Sequence, residues 1–334
     1  MKRSILRHKF ALWVIAALAL ASCSQDELTE QGTPLPVGKY PLELTADGLQ
    51  AVATPAQAST RGTFFDDDWN GVTSVKVRVN DVQEKEYSVT LLTDKKMAHL
   101  APAKQLGLTD ESFWWTSTEE KKTVMAWTKY ALDEKFDLPK TWTENDLDEF
   151  DIIGVRETIG FEDRNKPLEF QHMMAKVVIN LRKTPYLEKN AENVKVQLLN
   201  MAADGRVVFY AYGLFIVERA TTTSTAFTPY QLPEEEYEDV NFGDGQLEKP
   251  FASYTLLVVP TNKAGIPGLE ILQIEVDDAT YKLKTDTALG LFYKPGQVTT
   301  YDVTVKVNDL DVTVGQSIDW ETDGASGSGE VELP

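Results

Sequence analysis

Apolar and polar residues alternate along most of this chain with the two-residue period of a strand. Leu42 and Leu44 alternate with polar neighbours, which predicts a short strand over Tyr40–Thr45, placed at a sheet edge by Pro41. Val75, Val77 and Val79 alternate with Lys76 and Arg78, Asn80-Asp81 turns the chain, and Tyr87, Val89 and Leu91 continue on the next strand. Phe113-Trp114-Trp115 and Val124–Trp127 are further strands. Between Lys129 and Glu149 charge is dense and Pro139 intrudes, which predicts an irregular excursion with one helical turn before Phe150–Val155 returns to the sheet.

The stretch Leu168–Leu181 changes parity partway. Leu168, Phe170, His172 and Met174 share one parity, and Met173, Ala175, Val177, Ile179 and Leu181 the other. Such a switch marks a bulge, or a strand that leaves one core and enters another. The polar, Pro-broken Asp163–Pro167 just before it suits a domain junction. Beyond it, Val194–Leu198 and Val207–Tyr210 are expected to pair as a hairpin turned at Asp204-Gly205. A polar loop is expected over 218–250, and the continuously apolar Tyr254–Val259 reads as a central strand. Leu272–Val276 and Tyr281–Leu283 form a hairpin around Asp277-Asp278, Pro295-Gly296 turns into the alternation Tyr301–Val307, and Ile318 and Trp320 close the last pair. Strands of this length with no sustained helical period predict an all-β sandwich architecture.

A length of 334 residues, 42% of them hydrophobic, is enough for two domains with sizeable cores. The boundaries expected are a signal peptide over 1–22, a linker with a removable N-terminal strand over 23–61, and β-sandwich domains over 62–166 and 167–334. Net charge is −19; without Lys2, Arg3, Arg7 and Lys9 it becomes 29 basic against 52 acidic side chains, or −23. That surface repels phosphate backbones, so no nucleic-acid partner is expected. One cysteine permits no internal disulfide.

That cysteine follows a secretory signal. Four positive charges precede an apolar run, Phe10–Ala21, too short to span a bilayer. Leu20-Ala21-Ser22-Cys23 resembles the bacterial lipobox, in which the chain is cut before the cysteine and its thiol carries lipid. The acidic Ser24–Glu27 resembles a surface-export signal and reads equally well as a solvated tether. Arg61 lies among small polar residues between the first strand and the rest of the fold, where proteolysis concentrates. Asp66–Gly71 is an acidic turn without the spacing or terminal Glu of a calcium loop.

The catalytic inventory is thin. Outside the signal the only histidines are His99 and His172, without metal-ligand spacing, and no nucleophile elbow, dinucleotide fingerprint or P-loop is present. His172, inside an apolar strand, reads as a core histidine, and Phe113-Trp114-Trp115 as packing rather than a sugar platform. No enzyme, metal or cofactor is expected.

Cys23, Thr60-Arg61-Gly62-Thr63, Leu168-x-Phe170-x-His172-x-x-Ala175-Lys176, Phe292-x-x-Pro295-Gly296-x-x-x-x-Tyr301-x-Val303 and Ile318-x-Trp320, in that order, resemble the fimbrillin family, the lipoprotein-precursor pilins of type V fimbriae. The resemblance spans nearly the whole chain. It implies two tandem transthyretin-like Greek-key β-sandwich domains, and export to the outer membrane on a lipid at Cys23. It further implies cleavage between Arg61 and Gly62, loss of the N-terminal strand, and assembly with other fimbrial subunits by β-strand addition. In the tail, Val331 and Leu333 alternate behind a Gly/Ser run and are the donor-strand candidates. Only two alternating apolar residues are available there, which suits a minor or tip subunit supporting cell adhesion better than a stalk. The alternative is a surface lipoprotein that never polymerises and binds a glycan or host-protein receptor.

Overall fold

The computed structural model describes residues 33–48 and most of 69–330; residues 1–32, 49–68, 331–334 and short internal stretches, the longest 104–111 and 320–327, are outside the description. The first half of the chain supplies β1 (Leu44–Gly48), β2 (Ser74–Val79), β3 (Lys85–Leu91), β4 (Ala98–Pro102), β5 (Lys121–Trp127), β6 (Lys135–Asp137), α1 (Glu144–Phe150), β7 (Ile153–Gly160) and β8 (Pro167–His172). All the strands but β6 form a closed barrel in the order β1-β4-β3-β2-β5-β7-β8, with β8 returning to β1. Alternation fills it: Val75, Val77 and Val79, Tyr87, Leu100, Val124 and Ala126 join one apolar cluster, in which Trp69 meets Phe170 edge-on at 4.8 Å.

The second half supplies β9 (Ala175–Leu181), α2 (Pro185–Lys189), β10 (Val194–Ala202), β11 (Asp204–Phe209), β12 (Phe215–Glu218), β13 (Ser224–Phe227), β14 (Tyr230–Gln231), β15 (Val240–Asn241), β16 (Leu247–Glu248), β17 (Ala252–Val258) and β18 (Thr261–Lys263). It ends with β19 (Glu270–Val276), β20 (Ala279–Lys284), β21 (Leu291–Tyr293), β22 (Gln297–Val305), β23 (Leu310–Gly315), β24 (Ile318–Asp319) and β25 (Ser328–Glu330). One sheet runs β14-β17-β9-β22-β23-β25, with β24 on β22, and a second runs β13-β10-β19-β20. Ile179, Leu256, Tyr301 and Val303 of the first join Val196, Leu198, Leu272 and Ile274 of the second in one core. The fold is all-β, as the alternation predicts.

The two cores share walls. On β5, Val124 and Ala126 belong to the barrel cluster, whereas Met125 and Trp127 belong to the other. The chain changes core at Met173-Met174: Leu168 and Phe170 pack in the barrel, and Met173 onward in the second cluster. The parity switch is therefore a change of sheet, and β8, which the sequence places after the junction at 167, pairs with β1 and β7 in the barrel. His172, with no exposed side-chain surface, sits at this change, its Nδ1 2.7 Å from Oδ1 of the equally buried Asp151. Over it lies Gly296 at φ +65, donating its N–H to the Met174 carbonyl; a Cβ there would stand 3.1 Å from the His172 carbonyl oxygen. The Pro295-Gly296 turn thus needs glycine both for its left-handed backbone and for this close approach.

Several expectations are corrected. Phe113-Trp114-Trp115 makes only an isolated bridge, Trp114 to Pro41, because its partner is the N-terminal segment rather than a strand. β4 has no counterpart in the sequence reading; Pro102 and only two inward residues, Ala98 and Leu100, hide it. The excursion 129–149 carries β6, and Phe150 ends α1, whose Thr143–Asp146 capping box fixes its start; the return strand begins at Ile153. β10 and β11 are not a hairpin: β10 pairs with β13 and β19, β11 with β6 and β12. Asp204 does not turn the chain; it accepts from the N–H and hydroxyl of Thr221 and so anchors another loop. The supposed loop 218–250 holds β13, β14, β15 and β16. Of the last expected pair, Ile318 lies in β24, and Trp320 lies outside the described residues.

One polar row crosses the centre of the large sheet. Ser253, Asn180 and Asp302 are cross-strand neighbours; the Ser253 hydroxyl donates to Asn180 Oδ1 at 2.7 Å, and Asn180 Nδ2 donates to Asp302 Oδ1 at 2.8 Å. Burial pushes the Asp302 carboxyl up to about 6, with the Asn180 hydrogen bond opposing. Because the folded value lies above the unfolded one, the native state holds the proton more tightly. The stabilisation is full below about pH 4 and is lost as pH rises through 6. Asp302→Asn is expected to be more stable than the parent at pH 7.5, by roughly 1–2 kcal/mol, and to lose that advantage at pH 4. Urea titration of both proteins at the two pH values measures it.

Candidate functional site

β1 is short, and the barrel is closed through it. It pairs antiparallel with β4, Leu44 opposite Leu100 and Ala46 opposite Ala98, and parallel with β8, Thr45 opposite Pro167 and Gly48 opposite Phe170. Among the described residues no other strand joins β4 to β8. The strand expected over Tyr40–Thr45 lies instead over Leu44–Gly48, because the four residues before it follow a different rail. There Leu35 N–H donates to the Thr116 carbonyl, Leu42 N–H to that of Phe113 at 2.7 Å, and Trp115 N–H to that of Tyr40 at 3.0 Å. The rail is held in shape by Glu120, whose carboxylate accepts from the N–H of Thr116 at 2.7 Å and from its hydroxyl at 2.9 Å.

The seating of this segment is apolar on one side and polar on the other. Leu42 and Ala46 are fully buried and Leu44 is 2% exposed, so alternate residues enter the barrel core. The Leu42 carbonyl accepts from the buried Tyr87 hydroxyl at 2.9 Å. Between the leucines, Glu43 faces outward, its Oε2 3.3 Å from His99 Nε2. Tyr40 stands edge-on to Phe161 at 5.6 Å; Phe161 is edge-on to Trp115 at 5.7 Å, and the Arg164 guanidinium lies 4.1 Å over its ring. Trp115 is therefore core, as the sequence suggests for the aromatic cluster, while Phe113 carries the Lys85 ammonium at 4.6 Å.

Cys23, Arg61, Gly62, Val331 and Leu333 lie outside the described residues. β25 ends at Glu330, one residue before the donor-strand candidates, and pairs antiparallel with β23. His99 and Phe161 were missed as contributors; nothing local in the sequence marks them, since their role is to meet residues 56 and 121 positions away. Among the described residues no group of His, Cys, Asp and Glu is placed to hold a metal ion, and no helix is long and apolar enough to cross a membrane. The His172–Asp151 pair has the geometry of an oriented base, but both side chains are closed to solvent.

A β-barrel finished by a short strand from the first part of the chain, beside a two-sheet core, defines an all-β architecture. The family model described as fimbrillin-like matches residues 59–320, and the chain belongs to that family. Its fold is similar to a candidate cell adhesion protein from Bacteroides uniformis at 13% identity, with a TM-score of 0.56 over 86% of this chain and 100% of that one. It is also similar to a candidate cell adhesion protein from Bacteroides ovatus at 15% identity, with a TM-score of 0.53 over 84% and 97%. Comparison with curated proteins gave no match.

The matched region begins at residue 59, after β1, so the segment that completes the barrel stands apart from the part the family model spans. Leu44→Ala is expected to destabilise the intact chain by about 2–5 kcal/mol, the usual cost of a leucine-sized core truncation. Thr45→Ala, on the outward face, should change stability by less than about 0.5 kcal/mol. Denaturant unfolding of the two variants distinguishes a seated strand from a loosely attached one.

Proposed function

We propose that this chain is a minor, tip or accessory fimbrial subunit. In this reading it is exported as a lipoprotein through Cys23 and released by cleavage after Arg61, and it joins other subunits by strand exchange in support of cell adhesion. The observation that carries the proposal is the position of β1. Arg61 lies in sequence between β1 and Trp69, so one cut there would separate the strand from the rest of the chain while severing none of the described elements of the barrel. Departure of β1 would leave the inward backbone edges of β4 and β8 without partners and an apolar slot where Leu42, Leu44 and Ala46 sat. Unpaired backbone groups and exposed apolar surface are both costly, so the slot would take up another extended strand.

The same reading divides the chain into two domains. The sequence places their seam at 166/167; assignment of β8 to the barrel favours a seam at Met173-Met174. Before cleavage the lipid would hold the subunit at the outer membrane, and after it the subunit would pass to the fimbrium. Three acyl chains would anchor stably where one binds only marginally.

Arg61→Ala is expected to leave folding and lipidation unchanged and to block release and incorporation. Cys23→Ala should abolish metabolic lipid labelling. Mass spectrometry of protein recovered from the cell surface decides the matter: an N-terminus at Gly62 is expected. Lipidated chain as the sole species would leave the non-polymerising surface lipoprotein, binding a glycan or host protein, as the better reading.

A further inference from the structure

The slot held by β1 distinguishes more than apolar from polar. Four positions of its occupant meet four different surroundings. At Tyr40, a ring lies edge-on against Phe161, beneath which Trp115 and the Arg164 guanidinium form a cationic aromatic shelf. At Leu42, a fully buried aliphatic chain sits where its own carbonyl is fixed by the Tyr87 hydroxyl. At Glu43, a carboxylate faces His99 of β4. At Ala46, the space is closed on one side by the fully buried Ala98 and on the other by Leu168, so only a small residue fits without displacing core atoms.

We propose that this slot reads side chains, and that it selects a strand from a different fimbrial subunit rather than the tail of a second copy of this chain. The inference rests on the strand-exchange reading above and names its partner. The partner is an extended segment with an aromatic residue, then an aliphatic residue two positions on, an acid next, a second aliphatic, and a small residue two positions after that. It runs antiparallel to β4 and parallel to β8, as β1 does. The tail supplies only the middle of this order: Val331-Glu332-Leu333 matches Leu42-Glu43-Leu44, but the residue two before Val331 is Gly329, which leaves the Phe161 shelf bare.

The test uses the full chain carrying a site-specific protease sequence inserted between Thr60 and Arg61, cut in place and challenged with labelled peptides. A peptide of residues 38–48 with its native sequence is expected to exchange into the slot. Tyr40→Gly in that peptide should weaken competition roughly tenfold, as loss of a partly buried ring and its aromatic contact implies. Ala46→Leu should weaken it at least as much, and Glu43→Lys a few-fold, in a salt-dependent way. A tail peptide of residues 326–334 should compete about tenfold less well than the native segment. Equal competition by the tail peptide, with no effect of Tyr40→Gly, would overturn side-chain reading while strand exchange stands. Failure of every peptide, the native one included, would overturn strand exchange itself.

Discussion

The closure of the barrel depends on one pairing, that of β1 with β4 on one side and β8 on the other. An antiparallel sheet of six strands can curl, but its two end strands keep open edges until something spans them. Here the spanning element is five residues long and joins β8 in parallel, an arrangement that no hairpin can make and that requires the chain to return from far away in sequence. The closing strand is thus tied to both its neighbours by pairings distant in sequence and not by a local connection. Its stability comes from three inward side chains, the ladder bonds on both edges and the rail along Phe113–Thr118.

The remainder of the molecule is organised so that this strand can be an attachment rather than a foundation. The second core is built around β9, β17 and β22, of which β9 and β17 are buried along their length, and among the described residues it receives nothing from residues 33–48. The two cores meet through walls that β1 does not touch: Met125 and Trp127 on β5, Phe215 against Trp127 at 5.5 Å, and the His172–Asp151 pair under the Gly296 turn. A buried side-chain hydrogen bond contributes little net stability, but removing either partner leaves a buried polar group unmatched, which holds the junction to one geometry.

Much of this was legible in the sequence because strands facing a core on one side must alternate. Val75–Val79, Leu272–Val276 and Tyr301–Val305 show that alternation directly, and the change of parity at Met173-Met174 marks where the chain passes between cores. Pairing was not legible. Val194–Leu198 and Val207–Tyr210 look like hairpin partners, yet each finds strands from elsewhere, since nothing local records that Asp204 is bound to Thr221. β4 was hidden by its proline and its small inward residues. The strand that completes the barrel was visible as Leu42 and Leu44; its parallel partner, its acid–histidine contact and its aromatic shelf all lie far along the chain.

Hydrogen exchange of the intact chain and of the chain cut after Arg61 and freed of its N-terminal segment tests most directly the claim that β1 closes the barrel and is separable from the rest. The account predicts that amides of β4 and β8 lose protection together, while those of β9, β17 and β22 keep it. Unchanged protection in β4 and β8 after the segment has left, or loss of protection throughout both cores, would contradict it.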